Sequence, residues 1–367
     1  MNTELYRAEQ LPVFQNRMFR TAQEATACAR GDVVLEQDAR TGLVFNRAFR
    51  PELVQYDADY QNEQAVSAVF RTHLDEITRI AERHFRGRSL IEVGCGKGYF
   101  LEHLLARGFD VTGIDPAYEG ANPRVIKGRF SREAGLRAEG LVLRHVLEHI
   151  PQPAAFLAEL REANAGGGTI LIEVPCLDWI SRHRAWFDIF YEHVNYFRLD
   201  DFQRMFGRIV ESGHVFGGQY LYVVADLASL RDPAAGGILP FALPGDFTAS
   251  VGRHAERMRA KQAAPGATGH SVVWGGASKG VIFSLFMQRA GARVDFVVDI
   301  NPAKQGRYLA ATGLRVSSPE DMLRQVAPAS ARTATTAEVS MRPPARSASS
   351  ISARLALASS RRARARW

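Results

Sequence analysis

Apolar residues along the first two thirds of the chain follow two rhythms. Short apolar runs at residues 90–93, 111–114, 141–143 and 169–174 are separated by longer stretches whose apolar positions recur every three or four residues. Runs of that length suit buried strands, and the longer period suits helices with one buried face. One such helix is predicted over residues 63–85, where Val66, Val69, Phe70, Leu74, Ile77 and Ile80 keep helical spacing. Strands alternating with helices predict an α/β fold, a parallel sheet covered on both faces. Ahead of it, residues 33–35 and 43–45, with Thr41-Gly42 before the second, predict a short hairpin.

The rhythm is interrupted after a further strand at residues 220–226. Pro233, Gly236-Gly237, Pro240 and Pro244-Gly245 read as a linker. An amphipathic helix over 247–262 follows, and then a second strand–loop–helix–strand unit: 271–274, the loop 275–280, a helix to Ala290, and 294–298 ending at Asp299. The expected organisation is therefore an N-terminal lead-in of short strands (1–62), a Rossmann-like domain (63–226), and a second, smaller Rossmann-like domain (227–326). This second domain is expected to be incomplete, because its strands and helices are not expected to continue. From 327 to 367, Ala, Ser and Arg dominate and periodicity is lost, which predicts a disordered basic tail. The tail looks out of frame for a gene rich in G and C, replacing the natural end of the second domain.

Composition changes this picture little. At 46% hydrophobic and 23% charged residues the chain reads as a globular protein. Its net charge of +7 comes entirely from the tail, where eight arginines face one acid, Glu338. A nucleic-acid partner is therefore not expected, a basic binding arm being the alternative. The first 30 residues show no signal peptide and no run reaches membrane-spanning length, so no membrane partner and a cytoplasmic location are expected. Cys28, Cys95 and Cys176 are too scattered for a disulfide framework.

The chemistry concentrates around residues 90–98, L-I-E-V-G-C-G-K-G. Gly94, Gly96 and Gly98 allow a turn with positive φ and close backbone approach to a ligand, with Cys95 held among them. The dinucleotide spacing G-x-G-x-x-G would need a glycine at Tyr99, so a pyrophosphate is not the expected ligand here. Glu92 suits a cationic group. Asp115, followed by Pro116, ends the next strand where it can accept hydrogen bonds from ribose hydroxyls. Arg144 and His145 fall at the carboxyl end of the third strand, on the same edge. A cationic nucleoside fits these groups, and S-adenosylmethionine (SAM), which carries an ammonium and a sulfonium, is the expected cofactor. The bland alternative is a tight turn beside a solvated acid.

Residues 176–206 are dense in aromatics, and within them lies Y-E-H-V-N-Y-F, 191–197. Tyr191, Glu192, His193 and Asn195 bring four hydrogen-bonding side chains into five positions, which predicts a substrate pocket; a core helix with a wet face is the alternative. The 275–280 loop, G-G-A-S-K-G, is a degenerate dinucleotide loop in which Lys279 could meet a phosphate or which could serve packing alone.

Together, I-E-V-G-C-G-K-G, R-H-V-L-E-H-I-P-Q-P (144–153), D-I-F-Y-E-H-V-N-Y-F (188–197), V-W-G-G-A-S-K-G and V-D-I-N-P-A-K-Q-G resemble the sugar C-methyltransferases of deoxysugar biosynthesis. These are class I SAM enzymes with a second nucleotide-fold domain. The resemblance spans roughly residues 55–320. It implies methyl transfer to a carbon beside the ketone of a nucleotide-linked sugar, through an enolate. His193 matches the base that takes the proton. Glu192 and Tyr191 would orient it or stabilise the enolate, and Tyr191 and Tyr60 are reserve candidates for the base. The family's N-terminal zinc module has paired cysteines, and this chain has only Cys28 before the glycine loop, so no metal is expected. The alternatives are an O- or N-methyltransferase acting on another small metabolite, which needs no enolising base, and a non-catalytic SAM-binding protein.

Overall fold

The computed structural model describes residues 2–54, 67–264 and 269–326. Tyr56, Tyr60 and the tail from 327 onward lie outside the described residues, as does the start of the predicted 63–85 helix, which is seen as Ala68–Phe85.

Five parallel strands make up one side of a seven-stranded sheet. Across it the order is Ile209–Val215, Tyr220–Asp226, Thr169–Pro175, Gly140–Arg144, Ser89–Val93, Asp110–Asp115 and Val125–Lys127. Tyr220–Asp226 runs antiparallel to both of its neighbours, so one end of the sheet closes as a hairpin. The four predicted strands match within a residue or two. Because both faces are covered, Ile170, Leu171, Ile172 and Val174 are all fully buried. The acid among them, Glu173, is equally buried.

The predicted hairpin is present and belongs to a four-stranded antiparallel sheet: Thr3–Pro12, Arg30–Gln37, Val44–Asn46 and, from far along the chain, Asn195–Tyr196. The lead-in thus takes hold of the Y-E-H-V-N-Y segment directly. Gly31 is needed beneath it, since a Cβ there would stand 2.1 Å from the Tyr191 ring.

Beyond the linker, helix Ala249–Ala263 precedes a three-stranded parallel sheet of Val272–Trp274, Phe296–Val298 and Val316–Ser317, with helices Ser278–Arg289 and Pro319–Val326. The strand Val316–Ser317 and the helix after it correct the expectation that the repeating pattern stops at Asp299. They are too short and polar to show as an apolar run. This part packs on the first through Trp186, which stacks on Phe283 with ring centroids 5.5 Å apart. It also pairs Tyr308–Leu309 with Met18–Phe19 in a two-stranded ribbon.

Candidate active site

The glycine loop closes as its residue types demand. Gly94, Gly96 and Gly98 have φ of 75°, 54° and 83°. A Cβ on Gly94 would lie 2.5 Å from Val146, so bulk as well as φ excludes a side chain there. Helix Tyr99–Ala106 starts directly after Gly98. Asp115 Oδ2 accepts the Gly96 N–H at 2.9 Å and Oδ1 accepts the Ala117 N–H at 2.7 Å, which holds the carboxylate beside the loop, with Pro116 in the exposed turn between. Cys95 is buried against Gly113, where a Cβ would come within 2.8 Å of its sulfur. Glu92 pairs in register with Gly113 and Val142 and is buried, and its Oε2 has no hydrogen-bond partner among the described residues. Burial pushes its carboxyl up to about 7, against the pull of Arg144 and with help from Asp115. A buried acceptor left open at a glycine loop fits a ligand carrying an ammonium group.

A cavity of about 350 Å³ opens at the carboxyl ends of the strands Gly140–Arg144 and Thr169–Pro175, lined among others by His145, Glu148, His149, Glu192, His193 and Tyr220. That volume suits a small-molecule ligand. Backbone and side-chain bonds stitch residues 148–150 to 192–195. The Val194 N–H donates to the Glu148 carbonyl at 2.8 Å, His149 Nδ1 lies 2.9 Å from the Glu192 carbonyl, and Asn195 Nδ2 donates to the Ile150 carbonyl at 2.6 Å. This ladder sets the His149 and His193 rings edge to face, 5.0 Å apart. His193 Nδ1 has no partner among the described residues. Burial, then the neighbouring His149, His145 and Lys279, holds its imidazole well below the usual range, which favours the neutral ring. Glu192 Oε1 accepts the Gln15 N–H at 3.0 Å, an anchor supplied by the N-terminal part.

Behind the cavity, three basic side chains converge on Glu173. Arg144 Nε donates to its Oε2 at 2.6 Å, and His73 and His145 stand 2.6 and 3.5 Å from its Oε1. Despite burial, Arg144 and His145 hold the Glu173 carboxyl well below the usual range. His145, against its own burial, is pushed up to about 9 by Glu173 and Glu148. Arg144 also lies over the Phe100 ring, 4.3 Å from its centroid.

Two groups have donor sets that a metal could use: His73, His145 and Glu173, and Glu148, His149 and His193. In the first, the 2.6 Å between His73 and Glu173 is shorter than the separation of about 3.3 Å between two ligands of one tetrahedral zinc. Arg144 already occupies the second oxygen. That group is an ion-pair network.

The structure therefore brings Glu92, Gly94, Cys95, Gly96, Gly98, Asp115 and Pro116 together at one loop. Of the predicted cofactor residues, His145 also lines the cavity, whereas Arg144 is committed to Glu173. Glu192 and His193 face the cavity. Tyr191 does not line it: the side chain is fully buried, stacks on Phe49, and accepts the Arg50 N–H at 2.9 Å. Sequence reasoning missed Glu148 and His149, although E-H stands directly in the 144–153 motif. It also missed Asp188 and Gln219, both bonded to Lys279 from across the cavity, because only the fold brings those positions together.

Residues 58–209 match the family model of a methyltransferase domain. The C-methyltransferase NovU of Streptomyces niveus is 25% identical over 265 residues, covering 64% of this chain and 63% of that protein. A ubiquinone biosynthesis O-methyltransferase of Psychrobacter cryohalolentis is 30% identical over 111 residues, covering 26% of this chain and 43% of that protein. The chain thus spans under two thirds of either relative. Among solved structures, the 1,6-didemethyltoxoflavin-N1-methyltransferase of Burkholderia thailandensis with bound S-adenosylhomocysteine is 18% identical, with a TM-score of 0.33, covering 52% of this chain and 96% of that one. No helix among the described residues is long and apolar enough to cross a membrane.

Proposed function

We propose that the protein methylates a carbon beside the ketone of a nucleotide-linked sugar, with His193 as the base. The observation that carries this reading is His193 on the wall of a cavity at the carboxyl ends of the parallel strands, its Nδ1 without a partner among the described residues. A C–H bond becomes a nucleophile only when a base removes the proton and the carbonyl takes up the charge; transfer to an existing oxygen or nitrogen lone pair needs no such base. His193 would accept the proton, and the ladder to residues 148–150 would hold it in place. Glu148 and His149 line the same wall and would orient the ketone end. Bound SAM supplies the electrophilic methyl group, which Glu92, the glycine loop and Asp115 would hold by its ammonium and ribose ends. Alignment of the two ligands is then the remaining requirement.

The part beyond residue 269 supports the reading as a second, smaller nucleotide-type fold, through its parallel sheet and glycine loop. The similarity to NovU supports carbon as the acceptor; that to a ubiquinone O-methyltransferase favours an oxygen acceptor as the second reading. Incubation with methyl-labelled SAM and a panel of nucleotide-linked 4-keto sugars, followed by NMR of the product, tests it. A labelled methyl on carbon is expected, and a methyl on oxygen or nitrogen overturns the carbon assignment.

A further inference from the structure

We propose that the second glycine loop, residues 275–280, is the subsite for a nucleoside diphosphate and anchors the substrate's nucleotide while its ketone end meets His193. This deepens the C-methylation reading and rests on it. The cavity has two chemically different walls. One carries Glu148, His149, Glu192 and His193; the other is built by the second part of the chain, from Trp274 to Lys304.

The second wall repeats the geometry of the cofactor loop. Asp299 Oδ2 accepts the Gly276 N–H at 2.8 Å and Oδ1 accepts the Asn301 N–H at 2.8 Å, as Asp115 does with Gly96 and Ala117. Asp299 lines the cavity and stands where the cofactor loop has its ribose acceptor. Gly280 has no room for a side chain, since a Cβ would fall 1.9 Å from the Gly275 carbonyl oxygen, so the helix packs directly on the loop. That helix, Ser278–Arg289, starts at the cavity, which Ala277, Ser278 and Lys279 line, with the Ser278 N–H donating to Asn16 Oδ1 at 3.4 Å.

An independent observation points to a ligand. Asn301 is 94% buried and lines the cavity, and its Nδ2 has no partner among the described residues. Its Oδ1 accepts the Ala303 N–H at 3.0 Å, which fixes Nδ2 as a donor with nothing to donate to. Such a group costs stability unless a ligand accepts from it. Positive charge stands nearby: Lys279, held by Asp188 at 2.8 Å, and Lys304, 3.8 Å from Asp299. Ser278 adds a hydroxyl whose contact with Asn16 is 3.2 Å. Trp274 and Ile300 line the same cavity yet are 52% and 41% exposed, an apolar lip open to a planar base. Oxyanions would meet Ser278, Lys279 and Asn301, and the base would lie on Trp274.

Calorimetry on the full chain with uridine diphosphate, thymidine diphosphate and inorganic pyrophosphate tests the assignment. Both nucleoside diphosphates should bind. Asn301→Asp, which keeps the acceptor and replaces the donor by charge, should weaken them at least tenfold. Trp274→Ala should weaken them at least fivefold and leave pyrophosphate unchanged. SAM affinity, unchanged in both variants, reports that they are folded. Absence of binding at millimolar nucleoside diphosphate, or equal affinity in Asn301→Asp, overturns the inference. The two proposals fail separately. Nucleoside diphosphate binding that depends on Asn301, with methyl delivered to oxygen or nitrogen, removes only the carbon reading. Carbon methylation with a KM untouched by Asn301→Asp removes only the nucleotide subsite.

Discussion

His149 donates its Nδ1 proton to the backbone carbonyl of Glu192 at 2.9 Å. A carbonyl can only accept, so Nδ1 carries the hydrogen. The bond ties the turn after the third parallel strand to the segment bearing His193. His149→Ala should lower unfolding stability by about 0.5–1.5 kcal/mol for the lost bond. It should also reduce methyl transfer by disturbing His193, with SAM affinity retained. Denaturant unfolding, turnover and calorimetry on one preparation separate the three effects.

Tyr191 serves the fold. Its hydroxyl is the acceptor for the Arg50 N–H, and its ring fills the space over Gly31. Tyr191→Phe should cost about 0.5–1.5 kcal/mol of stability, because a backbone donor loses its protein partner, while turnover at a permissive temperature stays within about threefold. A hundredfold loss of turnover with stability intact would give Tyr191 a chemical role instead.

The cofactor loop is sensitive to Asp115. With alanine there, two loop N–H groups lose their acceptor and a bound ribose loses its own. SAM should bind about 1–3 kcal/mol more weakly. Unchanged affinity by calorimetry would remove the ribose assignment.

Glu92 makes cofactor binding dependent on pH. Its carboxyl, buried beside Arg144 and Asp115, is pushed up to about 7, so near neutrality a fraction is protonated. An ammonium ligand favours the carboxylate, so binding expels that proton. SAM affinity should rise as pH rises from about 5.5 to 7, and the heat of binding should depend on the buffer's ionisation enthalpy. Glu92→Gln should flatten the rise and remove the buffer dependence.

The glycine loop, its flanking acids and the parallel strands were legible because each depends on a local pattern: glycines at alternate positions, apolar runs, and an acid at a strand's end. The Ile209–Val215 strand was not, because at the sheet's edge its residues E-S-G-H need no apolar period. Tyr191 was grouped with Glu192 and His193 because they are adjacent, yet its ring turns onto Phe49 and Gly31 while Glu192 and His193 line the cavity. The strand Asn195–Tyr196 continues that segment into the N-terminal sheet. Asp188, Lys279 and Asn301 come from separate parts of the chain, and only the docking of the two parts places them on one cavity. The predicted pocket in 191–197 was legible as a density of polar groups among aromatics, while its partner His149 was hidden in a motif assigned to the strand end.

The most direct test of the central claim is hydrogen exchange at the acceptor carbon. With a nucleotide-linked keto sugar in heavy water, the enzyme should wash deuterium into the carbon next to the ketone, and His193→Ala should lose both exchange and methyl transfer by a factor of about 100 to 10,000 while keeping its SAM affinity. Exchange and methylation that fall by less than about tenfold in His193→Ala would contradict His193 as the base.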